Sequence, residues 1–150
     1  MSLSAFVLSA RSLETIGAWQ AAIDALGFKL TLTVEADQRI DALSGHLPAV
    51  WEGHEAGFEC ELGDAGAVEN FLDDCDEAQP RGPWSQILEI YYVGIANIAG
   101  VAIAGAVYAH ATGGVFWNGE DGERVDAERA IAYARKTETD IRDMLEGRQV

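Results

Sequence analysis

A chain of 150 residues with 49% hydrophobic content holds enough apolar material for one ordinary folded domain and too much for a disordered one. Its 25 acidic residues against 10 Lys and Arg leave a formal charge of −15. That charge opposes contact with nucleic acid and with anionic membrane surfaces, and favours steered association with a basic protein.

Ser4 to Ser9 reads as a short buried strand, and Ser12 as the N-cap of the helix after it. Leu13, Ile16, Trp19, Ile23 and Leu26 form that helix's apolar stripe, and Gly27 stops it. Phe28 to Val34 alternates as a half-buried strand. Glu35 to Gly57 is the least regular stretch: a helical turn at Ile40 to Leu43, then Pro48, Gly53 and Gly57, which predict a long loop. Phe58 to Leu62 alternates again, with Glu59 and Glu61 outward. Asp64 caps a helix whose stripe is Val68, Phe71, Leu72 and Cys75, and the QPRGP segment at 79–83 ends it.

From Ile90 to Trp117 there is no Asp, Glu, Lys or Arg. Ile87 to Val93 is β-branched and aromatic, so it predicts a strand feeding a helix over Gly94 to Ala111. That helix is apolar on every side, which suits either a protein core or a bilayer, and Gly100 and Ala104 are spaced for close helix contact. No Lys or Arg flanks it closely, so the buried reading is preferred. A strand at Gly114 to Trp117 follows, then turns at Asn118-Gly119 and Asp121-Gly122. Asp126 is expected to cap a last helix with Ala127, Ala130, Ile131, Ala134, Ile141, Met144 and Leu145 inward, and Glu138 and Arg142 as an i, i+4 pair. The expected fold class is α/β (α+β) in one domain over 1–150. The first six elements match a ferredoxin-like split βαβ sandwich, extended by a C-terminal helix–strand–helix.

Signatures of catalysis are weak. His46, His54 and Glu55, with Glu52 beside them, have zinc-ligand chemistry, and a small metal-dependent hydrolase using the 46–55 loop is the second reading. Their spacing is not H-E-x-x-H, however. His110 is better placed as a C-terminal cap of the central helix. Cys60 and Cys75 sit among acids, which suppress thiolate, and no G-x-S-x-G elbow occurs. Two cysteines make no disulfide framework, and the N-terminal residues lack a basic segment followed by a long apolar one, so a cytoplasmic location is expected. Gly63-Asp64-Ala65-Gly66 follows a strand but lacks a Lys for phosphate, and no cofactor is expected.

The informative acids are Asp73, Asp74, Asp76 and Glu77, at a predicted helix C-terminus where each works against the helix dipole by about 0.3–1 kcal/mol. An arrangement that opposes local stability suggests use by a partner. With Glu52, Glu55, Glu59, Glu61 and Glu69 they are expected to build one acidic face, flanked by Trp51 and Trp84 as aromatic anchors.

In its size, acidity, α/β layout and Gly113-Gly114-Val115-Phe116-Trp117 strand with an Asn118-Gly119 turn, the chain resembles small bacterial immunity proteins, which neutralise toxins passed between competing cells. The resemblance carries no residue pattern over position by position. It implies a cytoplasmic, non-enzymatic inhibitor that covers the active site of a basic toxin or nuclease-like domain by charge complementarity. A third reading is a membrane-associated accessory protein held by the central apolar stretch. A homodimer is compatible with the exposed strands and aromatic residues.

Overall fold

The computed structural model describes residues 3–73, 84–119 and 122–147. Along the chain run β1 (Leu3–Ser9), α1 (Ile16–Ala25), β2 (Leu30–Leu32), a 3-10 turn (Ile40–Ala42), β3 (Ser44–Leu47), β4 (Ala49–Trp51), β5 (His54–Glu55) and β6 (Phe58–Gly63). Then come α2 (Ala65–Asp73), β7 (Gln86–Tyr92), α3 (Ile95–Thr112), β8 (Val115–Asn118), β9 (Arg124–Asp126) and α4 (Ala130–Leu145). The fold is α+β.

A six-stranded sheet has the order β3-β6-β7-β1-β8-β9 with every neighbouring pair antiparallel. β7 and β8 therefore run parallel with β1 between them, and α3 joins them as a split βαβ unit. That unit uses the third helix, whereas the sequence pattern places such units on α1 and α2. β2 leaves the main sheet and pairs with β4 in a second, three-stranded sheet of order β2-β4-β5.

α3 is the centre of the molecule. It packs against β1, β7 and β8 on one side, and against α1, α4 and the small sheet on the others. Its charge-free sequence follows from that position: twelve of its residues, from Ala99 to Ala109 and at Thr112, are buried. It is long and apolar enough to cross a membrane, but 72% of that span is buried inside the domain. Gly100 and Ala104 serve this packing. A Cβ at Gly100 would meet the Ala56 carbonyl oxygen at 2.4 Å, and the Ala104 carbonyl accepts a 3.0 Å hydrogen bond from buried Trp19 Nε1. Gly113 closes the helix in the left-handed conformation, φ 71°. His110 is in the last turn, as expected, with Nδ1 2.9 Å from the Ala127 carbonyl.

Several local expectations need correction. The stretch 35–57 is not a loop; it supplies β3, β4 and β5, and Leu47, Ala49 and Trp51 alternate inward. Pro48 lies where the chain passes from the main sheet to the small one, and its carbonyl accepts from Thr33 N–H at 3.0 Å. Thr15, not Ser12, caps α1. Asp126 ends β9, and α4 begins at Ala130, because 124–126 adds a strand beyond the turn. Met144 and Leu145 are exposed, whereas Ala130, Ala134 and Ile141 face the core. Asp64 does cap α2, accepting from Ala67 N–H at 3.1 Å, and Cys60 is a buried free thiol whose pKa burial pushes up to about 12.

Candidate protein-binding face

The period-2 geometry of strands divides the main sheet into two faces. Phe58, Cys60, Leu88, Ile90 and Tyr92 point toward α3 and the core. The residues between them point outward, and register assembles them into rows. One row reads His46, Glu59, Tyr91 and Ser4 across β3, β6, β7 and β1. The next reads Ser44, Glu61, Glu89, Phe6, Trp117 and Arg124, ending on β8 and β9.

The outer face is therefore chemically split. Toward β8, the Phe6 and Phe71 rings meet at a 45° tilt with centres 4.7 Å apart, Phe71 meets Trp117 edge-on at 5.1 Å, and the Arg124 guanidinium lies 5.1 Å from the Trp117 ring centre. α2 covers this part, with Val68 and Leu72 buried on Leu8 and Ile87. Toward β3 the face carries Glu59, Glu61, Glu89 and Tyr91. Glu61 stands directly opposite Glu89, a like-charge pair that works against the sheet. Partial burial, then the Glu61 charge, raises the Glu89 pKa; burial, then Glu89 and Glu61, raises that of Tyr91.

This acidic half opens at the end of β7 into a recess of about 350 Å³, among whose walls are His46, Glu55, Glu59, Tyr91, Val93 and Asn97. Glu55 is held there by three neighbours. Its Oε1 accepts from Gly57 N–H at 2.9 Å and lies 3.9 Å from His46 Nε2, and its Oε2 accepts from Asn97 Nδ2 at 3.3 Å. Asn97 also donates to the Gly57 carbonyl at 2.6 Å, tying the start of α3 to the recess floor.

The residues singled out from the sequence separate. Glu55, Glu59 and Glu61 share this side of the molecule. Glu52 does not join them as a free carboxylate: it sits at φ 47° in the β4–β5 turn and is clamped by Arg142 of α4, which lowers its pKa through hydrogen bonding. Trp51 is 1% exposed and donates Nε1–H to Glu138 Oε2 at 3.0 Å, so it is a core residue joining the small sheet to α4 rather than an exposed anchor. Trp84 is half-buried against the Leu8, Val68, Leu72 and Ile87 cluster beneath α2. Asp73 is the exposed last residue of α2, and Asp74, Asp76 and Glu77 lie outside the described residues.

Among the described residues no three His, Cys, Asp or Glu side chains come together as a metal site. His54 and Glu55 are neighbours on one strand and so point to opposite sides; His54 lies against Trp51, 6.0 Å between ring centres, while Glu55 faces His46. Glu89, Tyr91, Val93 and Asn97 carry no motif that marks them in the sequence, although the outward alternation of Glu89 and Tyr91 with Leu88, Ile90 and Tyr92 is a usable signal. Comparison of the chain with protein-family models, curated proteins and solved structures finds no match.

Proposed function

We propose that this chain is a non-enzymatic, cytoplasmic protein-binding domain of the immunity type, which inhibits a basic toxin or nuclease-like partner by occluding its active site. The observation that carries this reading is the acidic half of the main sheet's outer face. Glu59, Glu61 and Glu89 share one face there, two of them directly opposed, beside exposed Tyr91. A sheet that keeps like charges opposed gives up stability, and a cationic surface laid on those carboxylates recovers it. The overall charge of −15 steers such a partner in and keeps phosphate backbones away. Tyr91 adds an aromatic ring to which a Lys or Arg side chain binds.

The test is affinity capture from lysate of the source cells, washed at low and then high salt, with captured proteins identified and assayed for activity with and without this chain. A basic protein retained at low salt, weakened by high salt and inhibited by the chain supports the reading. A partner held equally at both salt concentrations, or one whose activity is untouched, contradicts it.

A further inference from the structure

Among the described residues, three of the six exposed large apolar side chains fall at alternate positions of one short stretch: Tyr91, Val93 and Ile95, at 39%, 63% and 47% exposure. They run from the end of β7 into α3, across Gly94, and Tyr91 and Val93 also wall the recess that holds Glu55 and Glu59. We infer that this stretch is the apolar anchor point of the interface, and that it takes a segment of a partner protein in which an apolar side chain is flanked by Lys or Arg. The inference rests on the proposed function and deepens it, because it moves the energetic centre from the carboxylates to the apolar row beside them.

Three observations lead there. Charged rims set partner choice and on-rate, whereas desolvated apolar and aromatic contacts supply most of the affinity. The recess is already shaped, since the bonds of Asn97 and Gly57 to Glu55 fix its floor and wall, so little ordering is needed on binding. Charge selects the occupant. A second copy of this chain joined across the same patch in a two-fold dimer would bring two identical carboxylate clusters, each with Glu55 and Glu59, into one interface. Nucleic acid and anionic lipid are repelled by the same groups. A basic segment instead places cations beside Glu55, Glu59 and Glu89 and an apolar side chain over Val93 and Ile95.

The experiment is an amide-shift titration of the ¹⁵N-labelled chain with two blocked decapeptides, one of alternating Lys and Leu and one of alternating Lys and Ser. The Lys–Leu peptide is expected to shift Gly57, Tyr91, Val93, Gly94 and Asn97 first. Its affinity should exceed that of the Lys–Ser peptide and fall at least about tenfold in Val93→Ser/Ile95→Ser, whose native fold the same spectra verify. Equal binding of the two peptides, shifts centred elsewhere, no shifts, or an unaffected double variant would each overturn the inference. Sedimentation that shows self-association abolished by Val93→Ser/Ile95→Ser would overturn it in favour of a second copy. Capture with variant baits separates the two levels. Retained capture by Val93→Ser/Ile95→Ser with loss by Glu59→Lys/Glu61→Lys removes the anchor and leaves the inhibitor reading standing. Retention by both removes the inhibitor reading as well.

Discussion

At the scale of single residues, two carboxylates report opposite situations. Glu89 is held above its ordinary pKa by partial burial and by Glu61. A raised acid binds its proton more tightly in the folded chain, so stability rises as the pH falls from neutral toward the ordinary carboxylate value. Glu89→Gln is therefore expected to raise stability at pH 7 by about 0.2–1 kcal/mol, the size of a relieved cross-strand repulsion, and to flatten that acid-side gain. Denaturant melts from pH 4 to 8 check both. Glu52 is the converse case. Arg142 lowers its pKa, so the contribution is present above the ordinary value and is lost as the pH falls through the lowered one. Arg142→Met, which also withdraws the guanidinium 5.9 Å from the Trp51 ring centre, should cost up to about 1 kcal/mol at pH 7, and the part of that cost owed to Glu52 should disappear once Glu52 is protonated. Carboxylates also mark what the sequence shows and hides. Strand alternation places Glu59 and Glu61 outward, as they stand in the fold. The Arg142 clamp on Glu52 joins positions 90 residues apart and leaves no local pattern. Trp51 reads as an anchor only if 35–57 is a loop; as a strand residue alternating with Ala49 it turns inward.

At the scale of elements, α3 decides the architecture. Its small residues allow approaches that a methyl group would block: a Cβ on Gly105 would lie 2.3 Å from the Phe116 ring, and one on Gly100 2.4 Å from backbone that has little freedom to move. Gly100→Ala should destabilise by about 1–3 kcal/mol through overpacking against Ala56, measurable as a lower denaturation midpoint. The helix itself is legible in the sequence, because eighteen residues without a charge can only be buried or in a bilayer. The sheet order is not. β1 pairs with β7 and β8, far along the chain, and nothing local states which strands meet. β3 to β5 are hidden because their strands are two to four residues long and interrupted by Pro48 and Gly53, which read as loop punctuation.

At the scale of the whole molecule, the charge of −15 acts twice. Self-repulsion strains the folded chain, so added salt should raise its melting temperature. The proposed basic partner would be drawn by the same field toward the acidic half of the sheet, away from the part where α2 packs on Leu8 and Ile87. The measurement that tests this most directly is the affinity of the captured basic partner for the parent chain and for Glu59→Lys/Glu61→Lys, by calorimetry at low and high salt. The cation introduced opposite Glu89 replaces a like-charge pair with an attractive one, so the double variant is expected to fold at least as well as the parent. The expected result is a loss of at least about a hundredfold at low salt, with a shallower salt dependence. An unchanged affinity in a folded double variant would contradict it.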